Sequence, residues 1–200
     1  MSIQPKTALI ILAAGSSSRL GRPKQQLEFR GTTLLENAIQ AGLQAGCSSL
    51  TVVLGAFHQD IKPLVASKGV KTVVHLDWQL GMGSTIKAGM EALLADEAPD
   101  QVMLMLCDQP YVDAHLLRQL FAMKIQTGKV MAACSYGDSV GVPALFDRSA
   151  FHLLRDMDDQ AGAKKILLKH ADEVALVPFA LGNIDIDTEE DYQKLLQRNS

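Results

Sequence analysis

Apolar and polar positions along the chain come in short blocks. Seven mostly aliphatic residues, Thr7 to Ala13, run straight into Gly15 and three serines, the pattern of a buried strand opening into a loop of small residues. Similar apolar runs recur at Leu27 to Phe29, Leu50 to Leu54, Val70 to Val74, Gln101 to Cys107, Val130 to Ser135, Val142 to Phe146 and Val174 to Val177. Between them, Leu34, Leu35, Ala38, Ile39 and Leu43 repeat at helical spacing, with Thr32 or Thr33 as N-cap and Gly46 as stop. Further helices are expected over Phe57 to Lys68 with Pro63 near the first turn, from Ser84-Thr85 onward, over Val112 to Gln126 with Asp113 as cap, over Phe151 to Met157 and over Ala163 to His170. A closing helix follows Asp187-Thr188, either of which can cap it. Short strands alternating with helices imply right-handed crossovers and an α/β fold whose mainly parallel sheet is covered on both faces. The Gly137-Asp138 turn between two β-like runs predicts a hairpin, so the sheet is mixed there. Met103 and Met105 alternate within a strand, which argues core filling.

Two hundred residues with 48% hydrophobic content suit one domain spanning residues 1–200 with one sizeable core. A net charge of −3 with interspersed signs points away from nucleic acid and membrane surfaces and toward a small-molecule partner. Cys47, Cys107 and Cys134 form no CxxC pair and no disulfide framework, which fits a reducing compartment. MSIQPKT lacks the basic start and cleavage site of a signal peptide, and its apolar run is too short to span a bilayer; a cytoplasmic protein is expected. The five histidines show no HExxH or paired spacing, so no zinc site is expected.

The chemistry gathers where strands end. The loop after Ala13 carries Gly15, Ser16 to Ser18, Arg19, Gly21 and Lys24, so backbone N–H groups and two cations can face a phosphate. It is not a Walker A loop, because Gly21 is followed by Arg22, nor a dinucleotide fingerprint, because Ser17 and Leu20 stand where glycines are needed. With no G-x-S-x-G elbow, the serines suit phosphate binding better than nucleophilic attack. Gly81 and Gly83 precede Ser84-Thr85, which makes either a tight turn or a helix N-terminus able to hold a base edge or a phosphate. Trp78, the only tryptophan, reads as a core residue or loop anchor. The most apolar run stops at Asp108, whose carboxylate should share the crevice outside the strand ends with the first loop. Facing nucleotide phosphates, it would pair with a divalent cation. Asp185 and Asp187 fall on one side of an extended GNIDIDT, so Asp108 and Asp187 can share a magnesium ion unless Asp187 serves as the helix cap.

LAAGSSSRLGRPK, GMGST, LCDQP, GVPALF and DIDTEEDY occur in order over nearly the whole chain and together resemble the molybdenum cofactor cytidylyltransferases within the MobA-like nucleotidyltransferase superfamily. The resemblance implies a Rossmann-like three-layer α/β sandwich, transfer of CMP from CTP to the phosphate of molybdopterin with release of pyrophosphate, and Mg2+. It further implies that Leu12, Ala13, Ala14 and Gly15 line the nucleotide, Arg19 and Lys24 meet its phosphates, and Asp108 and Asp187 hold the metal. Arg19, Lys24 and Asp108 would carry the catalysis, with Ser16, Gly81 and Ser84 adding to nucleotide binding, and a molybdoenzyme or its chaperone would receive the product. Ala13-Ala14 is similar to the cytidylyl-transferring branch. Val142 before Pro143, where many such enzymes have His, and the shifted Asp158–Ala163 segment are departures near the second substrate. Another NTP or phosphorylated acceptor is thus an alternative, as is a non-catalytic carrier of the cofactor, although a carrier has no need of the Lys24, Asp108 and Asp187 set.

Overall fold

Alternating side chains of one strand feed two cores. In β1 (Thr7–Ala13), all seven residues are buried; Leu9, Ile11 and Ala13 join one apolar cluster, and Ala8, Ile10 and Leu12 the other. Only a strand in the middle of a sheet covered on both faces needs that pattern. The computed structural model describes residues 5–198. After β1, a loop and one turn of 3-10 helix lead to the small hairpin β2 (Glu28–Phe29) and β3 (Thr32–Thr33), then α1 (Leu34–Ala45), β4 (Ser49–Leu54), α2 (His58–Val65), β5 (Lys71–Val74) and α3 (Met82–Asp96). Next come β6 (Gln101–Leu106), α4 (Ala114–Thr127), β7 (Met131–Tyr136), β8 (Ser139–Asp147), α5 (Phe151–Arg155), α6 (Ala163–Lys169), β9 (Val174–Pro178) and α7 (Glu189–Arg198).

The strands form a seven-stranded sheet in the order β5-β4-β1-β6-β8-β7-β9. β8 runs antiparallel to both neighbours, and every other pairing in this sheet is parallel. Helices α1 and α4 pack on the face of Leu9, Ile11, Met103 and Met105, while α3, α5 and α6 cover the face of Ile10 and Leu104. The result is the Rossmann-like α/β sandwich with a mixed sheet, and the Gly137-Asp138 hairpin supplies the antiparallel strand.

Local chemistry sets the helix ends. Thr33 caps α1 in a capping box with Glu36, and Gly46 stops it in the left-handed conformation at φ 91°. Asp113 caps α4 through Leu116 N–H. α2 is shorter than its apolar pattern implies: it ends at Val65, and Pro63 lies in its second turn. Proline lacks the N–H that would continue the helical bonding, so the segment stays short and exposed on that side. α3 begins earlier than Ser84-Thr85, at Met82 with Gly81 as cap. Gly81 has φ 128° and ψ −177°, a region essentially closed to residues with a Cβ, and the Ser84 and Thr85 hydroxyls donate back to its carbonyl at 2.8 and 3.2 Å. Residues 184–187 are irregular backbone with no strand pairing. No helix among the described residues is long and apolar enough to cross a membrane.

Candidate active site

β1 and β6 are parallel neighbours, paired Thr7 with Gln101 through Leu12 with Leu106, so their carboxyl ends deliver the first loop and Asp108 to one place. The loop is held by its own backbone. Ser17 takes a left-handed conformation at φ 49°, and its carbonyl accepts from Leu20 and Gly21 N–H at 3.0 Å each. Its hydroxyl accepts from Lys24 N–H at 3.1 Å, so the middle serine shapes the turn. Leu20 is buried with Leu27, Phe29, Leu34, Ile186, Tyr192 and Leu195, while Arg22 pairs with Glu189 at 2.7 Å and lies over the Tyr192 ring. The loop is thereby fastened to α7.

The tail returns to the strand ends through one backbone bond. Ile186 N–H donates to the Asp108 carbonyl at 3.1 Å, and buried Ile186 sets Asp185 and Asp187 to either side of that contact. Thr188, not Asp187, caps α7: its hydroxyl accepts from Asp191 N–H while the Asp191 carboxylate accepts from Thr188 N–H and hydroxyl. That leaves the Asp187 carboxylate for other partners. Its Oδ2 accepts from Arg19 Nη2 at 2.6 Å and its Oδ1 from Lys24 Nζ at 3.2 Å. Lys24 Nζ also donates to Asp108 Oδ2. Two cations from the first loop and two carboxylates from distant parts of the chain thus interlock.

Burial sharpens these charges. Burial works against the Lys24 ammonium, but Asp108, through charge and hydrogen bond, together with Asp187, overrides it and raises the pKa above the ordinary lysine value. Asp108 is 7% exposed, and its Oδ1 is buried with no hydrogen-bond partner within the protein. Asp185 titrates at about 6, raised first by desolvation and then by the like charges of Asp108 and Asp187. The Cys107 thiol is pushed up to about 12 by burial, with Asp108 adding to the effect, so it stays protonated and inert.

Beside this cluster lies a cavity of about 250 Å³. Leu12, Ala13, Ala14 and Gly15 form one wall, Trp78, Gly81, Met82 and Thr85 the other, and Lys24, Gln25, Leu106, Cys107 and Asp108 complete it. The structure therefore brings Leu12 to Gly15, Lys24, Gly81 and Asp108 around one space, with Arg19 and Asp187 joined to it through the ion pairs. Ser16 lies in the loop beside Gly15 and is not among the lining residues. Ser84 is buried and turned inward, its Oγ bonded to the Gly81 carbonyl and 3.0 Å from His75 Nε2, while its N–H donates to the Asp159 carbonyl. Part of the α3 N-terminus is thus satisfied by the protein itself. A Cβ on Gly83 would stand 2.0 Å from the Asp158 carbonyl oxygen, so the Asp158–Ala161 segment packs directly on that terminus. Gln25, Thr85 and Met82 escaped the sequence reading, and Trp78, read there as an anchor, borders the cavity. Only the position of Gln25 directly after Lys24 could have signalled it.

The carboxylates present suit a hard divalent cation. Mg2+ takes oxygen ligands, keeps several waters and is commonly held by one or two carboxylates plus substrate phosphates; the unpartnered Asp108 Oδ1 and the neighbouring Asp187 match that donor set. Among the described residues no group of three or more His, Cys, Asp or Glu forms a closed metal site.

The sheet order and the helices on both of its faces define a protein of the Rossmann-like α/β class. The chain belongs to the MobA-like NTP transferase domain family, whose model matches residues 9–174. Rv0371c from Mycobacterium tuberculosis H37Rv is similar in structure, with a TM-score of 0.82 and 30% identity over 96% of this chain and 98% of that one. A crystal structure of that protein in complex with manganese aligns at a TM-score of 0.75 and 28% identity, covering 96% and 98%. Nicotine blue oxidoreductase from Paenarthrobacter nicotinovorans is 39% identical over 102 residues, 50% of this chain and 48% of that protein. Bifunctional protein GlmU from Mycobacterium leprae is 29% identical over 86% of this chain and 34% of its own length. The chain therefore spans half or less of the length of these curated relatives.

Proposed function

We propose that this nucleotidyltransferase transfers CMP from CTP to the phosphate of molybdopterin, with Mg2+, and passes the product to a molybdoenzyme or its chaperone in the cytoplasm. The observation that carries the reading is the Lys24–Asp108–Asp187–Arg19 cluster at the mouth of a cavity walled by Leu12 to Gly15. Ala13-Ala14, the pair similar to the cytidylyl-transferring branch, forms part of that wall.

The reaction forms a bond from an acceptor phosphate oxygen to the α-phosphorus and breaks the bond from that phosphorus to the bridging oxygen of the leaving pyrophosphate. Charge grows on the phosphoryl oxygens, and fixed cations facing them lower the barrier. Lys24 and Arg19 are those cations. Without nucleotide they neutralise Asp108 and Asp187, which holds both the loop and the tail in place. An arriving triphosphate competes for the cations, and Asp108 and Asp187, freed from them, would be the residues to hold Mg2+. When bound there, Mg2+ would neutralise charge on the phosphates and orient them in line. Trp78 and Met82 line the cavity as well and offer apolar surface to the nucleoside.

Pyrophosphate release from each of the four NTPs, with molybdopterin and either Mg2+ or Mn2+, tests the proposal. Turnover with CTP is expected. Silence with every nucleotide refutes the enzyme and leaves the carrier, whereas turnover with GTP alone refutes the base assignment.

A further inference from the structure

Gln25 is 1% exposed yet borders the cavity, an unusual place for an amide. Its Nε2 donates to the Ala13 carbonyl at 2.8 Å and the Gly15 carbonyl at 3.4 Å. Both partners can only accept, so they fix which end of the amide is nitrogen. Oε1 is left over, buried and without a hydrogen-bond partner within the protein. A buried acceptor left unpaired is costly, and a ligand in the cavity that brings an N–H donor relieves the cost.

Resting on the nucleotidyltransferase reading above, we propose that Gln25 is a base-reading residue whose Oε1 accepts from the 4-amino group of cytosine. The tie of Nε2 to the Ala13 and Gly15 carbonyls makes the acceptor rigid, because these are the residues whose backbone walls the same cavity. Cytosine presents an amino group at C4, where uracil presents a carbonyl oxygen. Uracil in the same pose sets oxygen against oxygen and leaves both unpaired. Sites built to hydrogen-bond one partner reject its unpaired analogue far more strongly than sites that discriminate by shape. The backbone of the loop then binds any nucleotide, and Gln25 separates cytosine from uracil.

Isothermal titration of the full chain with CDP and with UDP, each with Mg2+, tests this without turnover. The wild type is expected to bind CDP at least about tenfold more tightly than UDP, from one unpaired buried acceptor. Gln25→Met, checked for folding by thermal unfolding, should lose affinity for CDP far more than for UDP and so collapse the ratio. Equal wild-type affinities overturn the proposal. So does a Gln25→Met chain that weakens both nucleotides alike, which makes the residue a loop tie and nothing more. A wild type that prefers CDP yet releases pyrophosphate from no NTP refutes the transferase reading and leaves this one standing.

Discussion

Replacing Asp108 by Asn separates the charge of the site from its shape. The side chain is nearly isosteric, and Asn can still accept from Lys24 Nζ, so the contact between loop and strand end survives. What goes is one negative charge from a crowd of three carboxylates and the anionic oxygen at the buried, unpartnered Oδ1 position. Removing one partner of a buried ion pair commonly costs about 3–5 kcal/mol, because the other charge is stranded. Here Lys24 keeps Asp187 at 3.2 Å, and Asp185, whose pKa is lifted in part by Asp108, is relieved of repulsion. The net loss of stability should therefore fall below that range, a drop in Tm of no more than about 10 °C for a chain of this size. Catalysis has no such compensation: a neutral amide would hold a divalent cation more weakly than the carboxylate does, and the neutralisation of phosphate charge by that cation would be lost with it. Turnover should fall at least ~100-fold, the order seen when a fixed charge-stabilising group is removed. Pyrophosphate release at saturating nucleotide gives kcat, and titration of Mg2+ should show half-activation moved to higher metal. A variant with near-normal kcat and unchanged metal requirement would remove Asp108 from the site.

Lys24→Ala should lower kcat more than Arg19→Ala does, because Lys24 is largely buried between both carboxylates whereas the Arg19 side chain is 68% exposed; the reverse order in steady-state kinetics would contradict the assignment. Gly83→Ala would drive a Cβ into the Asp158 carbonyl at 2.0 Å, backbone that cannot swing aside as a side chain can, and should cost about 1–3 kcal/mol in urea unfolding; no loss would mean the Asp158–Ala161 segment does not rest on α3. Asp147 titrates below the usual carboxylate range: burial pulls it up, but the Lys124 hydrogen bond at 2.7 Å, with Ser149, outweighs burial. A depressed folded pKa stabilises above the unfolded value of about 3.9 and loses its contribution as pH falls through the folded value. Lys124→Met should thus be less stable than wild type near neutrality, and the gap should narrow below about pH 4; a gap independent of pH would assign the loss to packing.

The sequence announced the strands and most helices because burial imposes period on the chain. β1 and β6 read as unbroken apolar runs, and Thr33, Gly46 and Asp113 mark helix ends through chemistry confined to a few residues. Pro63 and the Gly81 cap were harder to place, since a start or stop there depends on backbone conformation rather than on apolar spacing. Asp108 stands out just past the end of a buried strand, and Lys24 in the loop that follows another. Asp187 was ambiguous between cap and site until Thr188 and Asp191 were seen to take the cap between them. Gln25 had only its position next to Lys24 to signal its place at the cavity, and Trp78 had no local signal: their positions follow from how the first loop folds back on Ala13 and how Trp78 lies against Gly55. The Ser84 N–H likewise is taken by Asp159, 75 residues away in the chain, which no local pattern announces.

Following the α-phosphorus itself is the most direct test of the central claim. CTP labelled at that atom, incubated with the chain, Mg2+ and molybdopterin, should yield labelled acceptor and unlabelled pyrophosphate in equal amounts, and Asp108→Asn should abolish both. Label that stays with the nucleotide while the wild-type chain binds it would contradict nucleotidyl transfer at this site.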